Sequence, residues 1–70
     1  MSPRTRHSGL TAREQEVLKL VAAGLTNREA AGTLGVSGRT VDAHLRSIYA
    51  KLGVKSRSAA TRYAVQNGFV

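Results

Sequence analysis

With 70 residues, 41% of them hydrophobic, the chain has room for one small domain that needs most of its apolar residues for packing, which argues against a large catalytic pocket. Eleven Lys and Arg against four Asp and Glu give a formal charge of +7 at pH 7, which favours an anionic partner such as nucleic acid or a lipid surface. The chain has no cysteine, which excludes disulfides and thiolate chemistry, and its apolar runs are too short for a membrane span, so a soluble protein of a reducing cytoplasm is expected.

The first nine residues show no apolar period. They include Pro3, Gly9 and two serines, and this composition predicts a flexible tail or the remnant of a linker from a longer parent chain. The folded domain is therefore expected to cover residues 10–70.

Capping residues and glycines predict where a first helix begins and ends. Thr11 and Glu14 have the T-x-x-E spacing of a capping box, in which each side chain accepts a hydrogen bond from the other residue's backbone N–H. Gly24 is expected to end this helix. The apolar stripe of this first helix consists of Val17, Leu18, Val21 and Leu25.

A second helix and a tight turn follow. Thr26 and Glu29 repeat the capping-box spacing and predict a short helix to about residue 34. Ala31, Gly35 and Val41 stand at the offsets of a helix-turn-helix: a small residue where two helices cross, a flexible one at the turn, and an apolar one where the second helix packs back. The pattern predicts a unit that delivers a helix to DNA.

The remaining helices complete an all-α fold. Ser37 is the predicted cap of a third helix that runs to about Leu52 and ends at Gly53, and a fourth helix is expected from near Ser56 to before Gly68. No strand-like alternation of useful length is present. The fold class is therefore predicted as four helices.

The third helix separates into two faces. The buried face is expected to hold Val41, Leu45, Ile48, Tyr49 and Leu52. The opposite face carries Arg39, Ala43, Arg46, Ser47 and Ala50, with Asp42 on one flank and Thr40, His44 and Lys51 on the other. Because small residues let the helix backbone approach closely and Arg can donate two hydrogen bonds to guanine, this face is predicted to read bases in the major groove.

A second set of residues suits the phosphate backbone. The start of the second helix offers free amide groups and the positive end of the helix dipole, and it carries Thr26, Asn27 and Arg28. Thr40 and Lys51 flank the reading face and are expected to contact phosphate as well. Two further cations, Arg57 and Arg62, are expected to extend an electropositive surface or to be solvated surface charge.

From Leu10 to about Phe69 the chain resembles the LuxR-type (GerE-like) helix-turn-helix domain, found at the DNA-binding end of many bacterial regulators, including response regulators similar to NarL. The matching stretch is LTAREQEVLKLVAAGLTNREAAGTLGVSGRTVDAHLRSIYAKLGV. The resemblance implies that the third helix, about 38–52, enters the major groove, where Arg39, Asp42, Ala43 and Arg46 meet bases.

The resemblance also implies that the fourth helix pairs two domains across a twofold axis. The outward side of that helix carries Ser58, Thr61, Arg62 and Val65. Since this set is small and weakly apolar, a weak dimer strengthened by DNA or by another domain is expected.

Asp42 departs from the family pattern, which usually has Lys at this position. The carboxylate either accepts a hydrogen bond from cytosine N4 and shifts the target sequence, or forms an intrahelical pair with Arg46 or Arg39 that holds an Arg for reading. The second interpretation is favoured because phosphates repel an unpaired carboxylate.

Other functions have less support. No nucleophile, base and orienting group occur together, and two histidines with four scattered acids assemble no metal site, so neither catalysis nor a cofactor is expected. His44 and the two tyrosines are interpreted as packing residues. The alternative function is a protein-interaction module that keeps the fold, recruits RNA polymerase or another partner, and binds DNA only weakly and without sequence preference. A recombinase or transposase would need its catalytic cluster outside this chain.

Overall fold

The computed structural model describes residues 9–69, and within them the chain forms four α-helices and no strand. The helices are α1 (Ala12–Ala22), α2 (Asn27–Leu34), α3 (Gly38–Leu52) and α4 (Arg57–Gln66). The predicted all-α, four-helix fold is confirmed. Of the predicted tail, residues 1–8 lie outside the described residues, as does Val70 at the other end.

The helices begin at the residues that the capping patterns predict. Thr11 and Thr26 each complete a capping box, in which the Thr hydroxyl accepts from the backbone N–H three residues on and the Glu carboxylate accepts from the Thr N–H. Ser37 and Ser56 cap α3 and α4 with their hydroxyl groups. Local hydrogen bonds therefore decide where all four helices begin.

The turn of the helix-turn-helix has the expected conformation. Gly35 lies in the left-handed region with φ of 72°, which a glycine adopts without steric cost, and it ends α2. Ala31 is buried where α2 meets α3, and Val41 is completely buried three residues into α3. All three residues therefore fill the positions that their spacing predicts.

One core joins the four helices. Its buried apolar side chains are Leu10, Val17, Leu18, Val21, Ala30, Ala31, Val41, Leu45, Ile48, Ala60, Ala64 and Phe69. Tyr49, Leu52 and Tyr63 pack against it half-buried, as expected of packing residues. α1 contacts all three other helices, so it holds α3 in place with one side turned outward.

Among residues 9–69, no helix is long and apolar enough to cross a membrane. The same part of the chain has no group of three or more His, Cys, Asp or Glu side chains placed to hold a metal ion.

Candidate nucleic-acid interface

The packing of α3 against α1 and α2 leaves one face of α3 turned outward. Val41 and Ile48 are fully buried and anchor one side of the helix. Arg39, Ala43 and Arg46 are exposed on the other side. Successive spacings of four and three residues keep these side chains on one stripe, with the small Ala43 between two long cations. The arrangement leaves an exposed surface in which two cations stand on either side of a small side chain.

Asp42 and Arg46 form an ion pair on this face. Arg46 Nε lies 3.3 Å from Asp42 Oδ2, and the two side chains are 82% and 52% exposed. The predicted intrahelical pair is therefore present, with Arg46 as the partner and not Arg39. Because the contact uses Nε, the two terminal nitrogens of the guanidinium stay available as donors. An exposed pair of this kind contributes only about 0–1 kcal/mol to folding, so it restrains Arg46 without locking it.

Ser47 and Lys51 lie at the edge of the face, where α3 meets α1. The Ser47 hydroxyl donates to Glu14 Oε2 over 2.7 Å, and Lys51 Nζ donates to Glu14 Oε1 over 2.7 Å. Lys51 Nζ also lies 3.4 Å from the carbonyl oxygen of Gly9. Both side chains, expected on or beside the free face, thus have hydrogen bonds within the domain. Ser47 keeps its oxygen as an acceptor, and Lys51 keeps one of its three N–H donors.

Glu14 joins α1 to α3 at this edge, whereas the sequence patterns identified it only as part of a helix cap. It is the buried charged residue of the described region, only 5% exposed, and it accepts hydrogen bonds from Lys51, Ser47 and the Thr11 N–H. Burial alone would raise the pKa of the Glu14 carboxyl, but these hydrogen bonds and the Lys51 charge outweigh it and lower the pKa from 4.5 to about 2. Glu14 stands three residues before Val17 and four before Leu18, which puts it on the apolar side of the first helix. This spacing was the available signal that Glu14 is buried as well as being part of the helix cap.

The beginning of α2 brings the predicted phosphate-binding residues together. Thr26 and Arg28 are exposed and Asn27 is half-buried. Asn27 Oδ1 accepts a hydrogen bond of 2.7 Å from Nη1 of Arg57, a residue of α4. Arg57 was expected only as a surface cation, and no spacing rule links two residues that far apart in the chain. Thr40 is also exposed, and its backbone N–H donates to the Ser37 cap.

The outward side of α4 has the composition that its pattern predicts. Ser58, Arg62 and Val65 are exposed and Thr61 is half-buried. Val65 is 58% exposed, whereas Ala60 and Ala64 are completely buried on the inner side of the helix. The ring of Tyr63 lies 6.4 Å from that of Phe69, which ties the end of α4 to the core. This side of α4 therefore offers one exposed apolar side chain, Val65, beside one cation and two hydroxyl groups.

Comparison with known proteins relates the chain to a family of bacterial regulators. The family model described as bacterial regulatory proteins, luxR family (GerE), matches residues 8–64. The transcriptional regulatory protein MctR of Rhizobium johnstonii is 39% identical over 61 residues, which is 87% of this chain and 28% of that relative. The chain thus spans less than a third of the length of this relative.

Proposed function

The chain belongs to the luxR family of bacterial regulatory proteins, and on that premise we propose that it binds double-stranded DNA sequence-specifically and regulates transcription. The observation that carries the proposal is the exposed stripe Arg39–Ala43–Arg46, two helical turns long, on a helix whose other side is fixed in the core. A helix of this kind fits the major groove, where Arg donates to the O6 and N7 atoms of guanine.

The proposed roles follow from the groups that each side chain leaves available. Arg39 and Arg46 read bases, Ala43 allows close apolar contact, and Asp42 sets the position of Arg46. Ser47 contributes an acceptor at the edge of the same face. The phosphate contacts are proposed for Thr26, Asn27, Arg28 and Thr40, with Lys51 adding its remaining donor.

Two copies are proposed to bind together. In this arrangement the outward side of α4, with Ser58, Thr61, Arg62 and Val65, pairs across a twofold axis, and the two α3 helices reach half-sites about one helical turn apart. The chain would act in the bacterial cytoplasm as the DNA-binding part of a longer regulator, such as a response regulator. The mechanism is binding, without a chemical step.

Selection of bound sequences from a random duplex library tests the proposal. We expect an enriched motif with two related half-sites. Arg46→Ala should then lose about 1–3 kcal/mol of binding free energy on the selected duplex and relax one base position, because the bidentate contact is removed. If the selection enriches no motif and Arg46→Ala binds duplex as tightly as the wild type, the chain is instead a protein-interaction module. RNA polymerase is then the partner to test.

A further inference from the structure

Arg57 connects α4 to the beginning of α2 through two hydrogen bonds. Its Nη1 donates to Asn27 Oδ1 over 2.7 Å, and its Nη2 donates to the carbonyl oxygen of Leu25 over 2.5 Å. Arg57 and Asn27 are both half-buried, and they stand 30 residues apart in the chain. The guanidinium has two nitrogens in a fixed fork, so one side chain holds both acceptors at a defined separation.

The first of these bonds orients the amide of Asn27. A guanidinium has only donors, so the oxygen of the amide must face Arg57. What remains of the side chain for another molecule is the Nδ2 group with its two N–H donors. A free asparagine can turn either its oxygen or its nitrogen towards a partner, whereas Asn27 keeps its oxygen towards Arg57 and its Nδ2 donors on the other side of the amide.

The backbone beside Asn27 has the same character. In the capping box of α2 the Thr26 hydroxyl takes the N–H of Glu29, and the Glu29 carboxylate takes the N–H of Thr26. The N–H groups of Asn27 and Arg28 lie in the first turn, where no carbonyl of the helix can accept from them. Side chain and backbone thus present donors together, which matches the oxygens of a phosphate group, while the Glu29 carboxylate of the same turn accepts from the Thr26 N–H.

We propose that Arg57 is a positioning residue for a DNA phosphate: it turns the Asn27 amide so that only N–H donors face the phosphate. The inference rests on the proposed function, because Asn27 is one of its phosphate contacts. The position of Arg57 in the chain has a second consequence. Since Arg57 is the first residue of α4, the helix proposed to pair two copies and the phosphate contact of α2 share one side chain.

The decisive variant is Asn27→Asp. The new carboxylate still accepts from Arg57 and pairs with its charge, so the domain should fold at least as stably as the wild type. It has no N–H to donate, and DNA binding should therefore weaken about tenfold on the selected duplex and on a random one alike. A matched control is Gln66→Glu, which makes the same charge change at an exposed position of α4. Fluorescence anisotropy gives both affinities, and thermal unfolding gives the stability.

Arg57→Lys tests the fork while keeping the charge. One ammonium cannot reproduce two donors in a fixed plane, so we expect a loss similar to that of Asn27→Ala. If Arg57 acts through Asn27, then Arg57→Lys made in the Asn27→Ala background should change the affinity by less than about twofold. Nothing in this comparison depends on net charge, because Arg57→Lys keeps it.

Three results would overturn the inference: Asn27→Asp binding DNA as tightly as Gln66→Glu, Arg57→Lys binding like the wild type, or losses that multiply in the double variant. Each of these leaves the proposed function standing, provided that the wild type selects a motif and Arg46→Ala weakens binding to it. A wild type that binds no duplex overturns both. The two failures are therefore distinguishable in one set of titrations.

Discussion

Asp42 places a negative charge on the face of α3 that is proposed to enter the major groove. Its charge and its pairing with Arg46 should affect both the affinity for DNA and the discrimination between sequences. Phosphates on both sides of the groove repel the carboxylate on any sequence, while Arg46 must share its donors between Asp42 and a base. Asp42→Asn removes the charge and keeps the shape. We expect affinity for random duplex to rise about threefold to tenfold and the ratio of specific to random binding to fall.

The measurement is anisotropy on both duplexes over a range of salt concentrations, with Glu16→Gln as control. Glu16 pairs with Arg13 at 3.5 Å on α1, and both side chains are about half exposed, so this variant removes the same charge away from the proposed face. If Asp42→Asn instead loses affinity only on the selected duplex and relaxes one position of its motif, the carboxylate reads a base directly. Equal effects of the two variants would show that only net charge matters.

Glu14 links the stability of the domain to pH. Its pKa of about 2 in the folded chain lies below the value of 4.5 expected in the unfolded one, so the unfolded state takes up the proton first. The stabilisation is complete above pH 4.5 and is lost as the pH falls from there towards 2. A shift of this size corresponds to about 3 kcal/mol of unfolding free energy, a large share for so small a domain.

Urea unfolding at a series of pH values checks this dependence. The wild type should lose stability steeply below pH 4.5, and Glu14→Gln should start lower at neutral pH and show a flatter profile, because its amide neither titrates nor pairs with Lys51. Glu16→Gln serves as the control and should keep the wild-type profile, since its ion pair is exposed. An unchanged acid limb in Glu14→Gln would contradict the assigned role of the carboxylate.

At the scale of the elements, α2 has one glycine within it and a second directly after it, and their roles are opposite. Gly35 ends the helix with φ of 72°, a conformation that costs other residues roughly 1–2 kcal/mol. Gly32 lies within α2, is exposed, and does not have a positive φ. A methyl group added at either position meets no atom within 4 Å, so backbone conformation alone decides the outcome.

Gly35→Ala should therefore lower the free energy of unfolding by about 1 kcal/mol, and Gly32→Ala should raise it by about 0.5–1 kcal/mol. Each variant is the control of the other, because the same atoms are added in the same helix-turn-helix. Chemical denaturation at neutral pH measures both. Stabilisation by both variants would mean that the turn does not require the left-handed conformation.

The same elements show what the sequence can predict. Helix starts depend on partners three residues away, as with Thr11 and Glu14, so reading along the chain finds them. The contacts from Glu14 to Ser47 and Lys51 and from Arg57 to Asn27 join residues at least 30 positions apart. They exist only because α1 crosses α3 and α4 begins beside α2. Periodicity predicts which side of a helix is buried, but the crossing decides which polar groups at its edge meet.

At the scale of the whole molecule, the proposed DNA contacts and the proposed pairing surface lie on different helices. The described part of the chain measures 31 × 25 × 20 Å, so one copy can cover one half-site but not two. Recognition of a two-part motif then requires a second copy, and the exposed side of α4 is too small and too polar to hold a dimer without help. DNA and the domain would assemble together.

Val65 is where this assembly can be interrupted. It is the large hydrophobic side chain of the described region that stands exposed, and Val65→Glu would place two like charges across the twofold axis of the proposed pair. We expect the wild type to sediment as a monomer without DNA and to fill a duplex with two half-sites cooperatively. Val65→Glu should fill it in two independent steps, with unchanged affinity for a duplex carrying one half-site. Gln66→Glu adds the same charge about 100° around the helix axis from Val65, at the edge of the pairing surface, and should keep most of the cooperativity. Cooperative filling by Val65→Glu would move the pairing surface away from α4, because two carboxylates that face each other across the axis repel and lose their hydration.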